Sequence, residues 1–241
     1  MHKSLAERTV LVTGANGGLG EQFVAQALDR GADAVYAAAR TPRQWDDPRV
    51  RPLTLDITSV EDVSRAAATA SDVDLLVNNA GIAPAGDLIS GPEEDLRRIF
   101  ETNFFGTLRV ANAFIPVLAA NGGGTLLNVL SLSSWINLPT GYSASKAATW
   151  SATNALRTVL RGQGTQVIGL QVGMIDTPMT VDLDVPKVSS ESVVAQAYDG
   201  VVNGSLEVLA DDTTRELKSR LSLRAEELYP WLDEQLAGFT P

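Results

Sequence analysis

Short apolar runs rich in β-branched residues alternate along the chain with longer stretches in which apolar positions recur every three or four residues. The run 9–13 (TVLVT) predicts a strand, and 18–30 predicts a helix with Phe23, Ala27 and Leu28 on one face. Runs at 34–39 (AVYAAA), 51–55 (RPLTL), 73–77 (VDLLV), 125–130 (TLLNVL), 165–172 (TQVIGLQV) and 206–210 (LEVLA) predict six further strands. A helix capped by Thr58 or Ser59, with Glu61 and Asp62 in its first turn, is expected after the third of them. Others are expected from about Glu93 to Leu118 and over 142–161, and the tail from Thr213 to Leu236 reads as helical with an interruption at Pro230. Strands that alternate with helices build right-handed βαβ units. The strands are mainly apolar and do not alternate, as central parallel strands covered on both faces should be. The expected fold is therefore α/β, a doubly wound parallel sheet of about seven strands with helices on both faces. No linker, repeat or low-complexity stretch divides residues 1–241, so one domain is expected.

Composition narrows the chemistry. The net charge of −10 argues against a nucleic-acid partner. There is no cysteine, so disulfides, thiolate catalysis and thiolate metal sites are excluded. The single histidine is His2, which argues against an imidazole metal site or a Ser/His hydrolase, and no metal is expected. Proton transfer must then use tyrosine, lysine, carboxylates or hydroxyls. No apolar run is long enough to span a bilayer, and the start lacks a signal-peptide cleavage pattern. No membrane partner and a cytoplasmic location are the expectations.

The first strand runs into Thr13-Gly14-Ala15-Asn16-Gly17-Gly18-Leu19-Gly20 and then into a helix. Glycines at 14, 18 and 20 let the backbone turn tightly and approach a pyrophosphate, which the helix N-terminus would hold. Later, Tyr142 and Lys146 are four residues apart on a predicted helix and so share one face. A neighbouring ammonium is expected to draw the phenol pKa down from its ordinary value of about 10.

The spacing TGxxxGxG at 13–20, Asn78-Asn79-Ala80-Gly81 after the fourth strand, and Tyr142-x-x-x-Lys146 occur in that order over residues 9 to about 180. Together they resemble the short-chain dehydrogenase/reductase family. The resemblance implies a Rossmann-type domain that binds NAD(P)(H) and moves a hydride to a ketone or aldehyde, or from a secondary alcohol. It implies Tyr142 as general acid/base and Lys146 as its partner, with both also touching the cofactor's nicotinamide ribose. Ser131 would hold the substrate oxygen, and Asn103 would join a water-mediated relay to the lysine. Ser131 lies only eleven residues before Tyr142, a shorter spacing than the family usually has. Ser133 is therefore its rival should loop 132–141 shift register. The same resemblance places Gly14, Asn16, Gly18, Leu19 and Gly20 on the pyrophosphate side. Asp56 and Ile57 would lie near the adenine, and Asn79, Ala80 and Gly81 along the adenosine, while Asn78 ties strands together. Gly173, Ile175 and Thr177 would meet the carboxamide, with Val172 replacing a usual proline.

The second strand ends Ala37-Ala38-Ala39-Arg40, with no acid to bind a ribose diol. The planar fork of Arg40 suits a 2′-phosphate, so NADP(H) is expected over NAD(H), and Arg43 lies just beyond. Loops 83–92, 132–141 and 178–190 would build the pocket, with Trp135, Ile136, Leu138, Met174 and Met179 as its candidates. They carry little charge, which points to a small or medium, largely uncharged carbonyl or alcohol substrate. Two other readings share these motifs: an imine reductase, and a non-enzymatic NAD(P)-sensing or scaffold protein, whose kind usually lacks the Tyr or Lys. Helices 93–118 and 142–161 correspond to those that pair in the family's homodimers and homotetramers.

Overall fold

A computed structural model of the chain describes residues 5–84, 87–136 and 138–236; His2 lies outside them. In chain order the elements begin β1 (Thr9–Thr13), α1 (Leu19–Asp29), β2 (Ala34–Ala39), β3 (Val50–Thr54), α2 (Val60–Thr69) and β4 (Leu75–Asn78). Then come α3 (Glu93–Phe100), α4 (Thr107–Ala120), β5 (Thr125–Val129), α5 (Gly141–Leu160) and β6 (Gln166–Gln171). The remainder is β7 (Ile175–Asp176), β8 (Val188–Ser189), α6 (Ser190–Asn203), β9 (Glu207–Leu209), α7 (Asp212–Arg220) and α8 (Ala225–Leu236).

Seven parallel strands form one sheet in the order β3-β2-β1-β4-β5-β6-β9. The order reverses beside β1, the crevice where doubly wound sheets bind ligands. On one face Val10, Val12, Val77 and Ile168 pack under α1 and α6, where Phe23 meets Tyr198 edge-on and its carbonyl accepts the Tyr198 hydroxyl at 2.7 Å. On the other, Leu11, Leu76 and Leu126 pack under Val63 of α2 and Val110, Phe114 and Leu118 of α4. At the sheet's lower edge the buried Arg8 donates to the Asp74 carboxylate at 2.8 Å and to its carbonyl at 2.6 Å. Such a buried pair costs several kcal/mol if one partner is removed.

Three elements depart from expectation. Pro52 sits inside β3 rather than at its start, which an edge strand tolerates because one side of its ladder is unpaired. Helix α6, capped by the Ser189 hydroxyl, was not among the expected elements. The tail breaks at 221–224, between α7 and α8, while Pro230 lies within α8. A proline disturbs only the turn before it, and here that turn is the helix's exposed start.

Between α3 and α4 the helix widens into a π-turn at Glu101–Gly106. By length and composition Glu93–Ala120 could cross a membrane. Its first half, however, carries Glu93, Glu94, Asp95, Arg97 and Arg98, and its second half packs a face into the sheet. This is a core helix. The two-residue strands β7 and β8 pair in parallel, and the Val188 N–H donates to the Met174 carbonyl at 2.9 Å. They close the base of an excursion, 177–187, above the sheet's C-terminal edge.

Candidate active site

The ends of β1 and β4 are locked together by one hydroxyl. Thr13 Oγ1 accepts the N–H groups of Asn79 and Ala80, both at 3.0 Å. The Asn79 amide donates back to the carbonyls of Thr13 at 2.9 Å and Gly14 at 3.3 Å, so it holds the glycine-rich turn. The turn has no room for side chains at its crossing point. A Cβ on Gly20 would lie 2.1 Å from the Gly14 carbonyl oxygen. Gly18 has φ +55° and faces Thr177, whose side chain a Cβ there would meet at 3.5 Å. The turn and the segment after β6 therefore oppose each other across the crevice. Leu19 buries its side chain in the core, leaving only its backbone to a ligand. Asn16 is exposed and donates to the Thr41 carbonyl at 2.7 Å, tying the turn to the segment after β2.

Helices α2, α5, α6 and α7 begin with a side-chain oxygen on a first-turn N–H, from Ser59, Thr140, Ser189 and Asp211. Helix α1 begins at Gly18 with no such cap. Its unbonded N–H groups and positive dipole end face the crevice, an arrangement suited to an anion. At the end of β2, Arg40 is exposed and has no hydrogen bond or ion pair among the described residues. Arg43 differs: it pairs with Glu21 at 2.6 Å and stacks on the Trp45 ring at 3.9 Å. Asp56 turns Oδ1 onto the Thr58 N–H at 2.9 Å and hydroxyl at 2.7 Å, at the approach to α2. The buried Ile57 packs against Gly106.

On the other side of the crevice α5 presents Tyr142 and Lys146 one turn apart, with the lysine Nζ 5.6 Å from the tyrosine ring centroid. Lys146 is 6% exposed and donates to the Val129 carbonyl at 2.8 Å. Burial pulls its pKa from 10.5 down to about 8. Burial pushes the Tyr142 phenol up, opposed by a hydrogen bond from Ser131. The expected lowering of the phenol by the ammonium is thus not the outcome: burial raises the phenol, and the only opposing effect comes from Ser131, not from Lys146. Ser131, whose hydroxyl draws the phenol pKa down, accepts the Ser133 N–H on its oxygen at 3.1 Å. Ser133 instead lines a separate cavity of about 220 Å³, with Ser134, Leu138 and Ala147 among its walls.

Asn103 sits in the π-turn and is 1% exposed. Its amide accepts the Ile82 N–H at 2.8 Å and donates to the Ile82 carbonyl at 2.9 Å and Ser145 at 3.1 Å. It thereby clamps the segment after β4 onto α5. Gly81 stands between the two polar groups: a Cβ there would be 3.2 Å from Asn103 Oδ1 and 3.9 Å from Lys146 Nζ. Asn78 donates to Asn128 at 3.0 Å, linking β4 to β5.

Trp135, Ile136 and Leu138 belong to a small third core with Leu217 and Leu232 of α7 and α8, while Met179 is exposed at the crevice rim. Gly173 donates its N–H to Asp211, a residue that sequence reasoning did not single out. Asp211 carried a usable signal, an Asp three residues before Thr214 at a strand-to-helix junction, but the helix was expected to start later. Residues 85, 86 and 137 of the expected pocket loops lie outside the described residues.

A family model described as short chain dehydrogenase matches residues 8–187. The 1-deoxy-11-beta-hydroxypentalenate dehydrogenase of Streptomyces exfoliatus is 34% identical, the match covering 82% of this chain and 80% of that protein. A short chain dehydrogenase from Burkholderia cenocepacia J2315, solved in complex with NADP, superposes with a TM-score of 0.89 at 36% identity, covering 95% of this chain and 99% of that one. An NADPH-bound carbonyl reductase from chicken fatty liver superposes with a TM-score of 0.76 at 25% identity, covering 82% and 92% respectively.

Proposed function

The chain belongs to the short chain dehydrogenase family, an oxidoreductase family, and on that premise we propose that it reduces ketones or aldehydes with NADPH, or oxidises secondary alcohols in reverse. One relative is named as the dehydrogenase of a hydroxy compound and another as a carbonyl reductase, and two of the similar structures hold NADP or NADPH. The observation that carries the reading is Tyr142 one helical turn from the buried Lys146, with the Ser131 hydroxyl near enough to draw the phenol pKa down against its burial.

The residues fit a nicotinamide dinucleotide. The crowded Gly14–Gly20 crossing and the uncapped start of α1 suit a pyrophosphate, and the unpaired Arg40 suits a 2′-phosphate. Asp56, Ile57, Ala80 and Gly81 would line the adenosine, and Gly173, Ile175 and Thr177 the carboxamide. When bound, NADPH supplies the hydride. Ser131 and Tyr142 hold one substrate oxygen between them, and the phenol, kept protonated by burial, gives that oxygen its proton. The Lys146 ammonium then stabilises the phenolate left behind. Asn103 keeps Gly81 and Ile82 beside the lysine, at the end of the relay that recharges it.

We further assign residues 1–241 to one domain, in the cytoplasm, assembling as a homodimer or homotetramer. Phe105 on the π-turn and Val159 on α5 are exposed on the helices expected to pair. A fall in NADPH absorbance with a panel of uncharged ketones and aldehydes tests the reaction. Tyr142→Phe should lower kcat by about 10²–10⁴ while NADPH still binds. Tight NADPH binding without turnover across the panel would overturn the reading in favour of a sensor.

A further inference from the structure

Gly173 stands where three segments meet. The carbonyl of Val172 before it accepts the N–H of Leu132, the residue after Ser131, at 2.9 Å. Its own N–H donates to Asp211 Oδ2 at 2.7 Å. A Cβ on Gly173 would fall 2.8 Å from Leu132 Cδ2 and 3.4 Å from Asp211 Oδ1, so the contact is close on both sides. Asp211 itself is 7% exposed. It also accepts the Thr214 N–H at 2.8 Å and the Thr214 hydroxyl at 2.7 Å, which starts α7. From there α7 carries Leu217 into the core with Ile136, and places Lys218 Nζ 4.7 Å from the Trp135 ring centroid. One carboxylate thus ties the segment after β6 to the helix that backs the segment after β5.

We propose that Asp211 is a positioning residue of the hydride-transfer site: it fixes segment 173–177, and the nicotinamide that segment would meet, relative to Ser131 and Tyr142. The inference rests on the NADPH reading given above. A carboxylate only accepts hydrogen bonds, so three donors converging on it leave its orientation little freedom. Without it the Gly173 N–H has no partner of equal strength, and the segment is free to move toward one. Displacements of about 1 Å at such a distance from the chemistry can slow a reaction by as much as about 10²-fold.

The test separates the clamp from the helix cap. Asn and Ser both cap helices well. In Asp211→Asn, however, one acceptor oxygen becomes a donor facing a donor, and in Asp211→Ser the side chain is too short to bridge Gly173 and Thr214. Thr214→Val removes one donor and leaves the Gly173 bond intact. Single-turnover hydride transfer and NADPH titration by fluorescence are measured for all three. Asp211→Asn and Asp211→Ser should each slow hydride transfer about tenfold and weaken NADPH binding several-fold, with an unmoved pH profile. Thr214→Val should stay within about twofold of wild type on both measures. Wild-type rates and affinities in both Asp211 variants, or an equal loss in Thr214→Val, would overturn the proposal. If one Asp211 variant fails to fold, the other decides. Absence of turnover in the wild type would sink the NADPH-reductase reading, and the titration would still decide the clamp: unchanged affinity in the Asp211 variants refutes it.

Discussion

Replacing Lys146 by Met should stabilise the protein while destroying its activity. The fall of the lysine pKa from 10.5 to about 8 is caused by burial alone. At about 1.4 kcal/mol per pH unit, holding that ammonium inside the fold costs about 3 kcal/mol at neutral pH. Methionine has a similar length and no charge to desolvate. It forfeits the bond to the Val129 carbonyl, a loss of about 1 kcal/mol. The net gain is about 2 kcal/mol, or about 4–8 °C in Tm for a chain of this size. The sign reverses the usual expectation for a lost hydrogen bond, and it depends on pH. Below about 8 the native lysine is charged and the full cost is present. Above that value the native state sheds its proton while the unfolded chain keeps one up to about 10.5, so wild-type stability rises and the advantage of the variant fades, nearly vanishing by about pH 10. Urea denaturation of both proteins at about pH 7 and pH 10 measures it. A variant less stable than wild type at pH 7, or a gap that does not change with pH, would refute the reasoning.

Ser131→Ala should lower kcat by about 10²–10³, whereas Ser133→Ala should stay within about threefold; similar losses in both would put Ser133 in the site as well. Arg40→Ala should raise KM for NADPH about tenfold and leave KM for NADH within about twofold. A wild-type kcat/KM higher with NADH than with NADPH would remove the phosphate role altogether. Gly20→Ala drives a methyl group to 2.1 Å from the Gly14 carbonyl, so it should cost about 1–3 kcal/mol of stability and abolish NADPH binding, as a thermal melt and a titration would show.

Much of this was legible in the chain because it is locally encoded. β1 and β2 have the bounds that their apolar runs predict, and the expected strand number and parallel sheet follow from alternation. The helix α6 had the right spacing, with Val193, Val194, Ala197, Tyr198 and Val201 buried. The apolar stretch before it (Val181, Leu183, Val185, Val188) blurs where its pattern begins. What pattern cannot carry is long-range desolvation and contact. Whether Tyr142 titrates high or low depends on what covers it, not on its spacing to Lys146. Trp135 and Ile136 read as pocket candidates; Leu217 and Leu232, distant in sequence, pack on them, and Ile136 also lines the cavity of about 220 Å³. The Asp211 bond to Gly173 spans 38 positions, and no local signal announces a partner that far away.

The pairing of β7 with β8 gives the protein a replaceable part. The two ends of the 177–187 excursion lie side by side, held by backbone bonds that take no account of what lies between. Closing a longer or shorter loop on the same base changes the entropy of closure only slightly. The excursion carries the exposed Met179, Val181 and Leu183 at the crevice rim and contributes no strand to the main sheet. On the function proposed above, exchange of this segment changes the substrate range, while Tyr142 and Lys146 stay on the main sheet's scaffold. A grafting experiment, or a lineage diversifying under selection, has a ready-made cassette here, running from Pro178 to Lys187 and leaving Thr177 in place against Gly18.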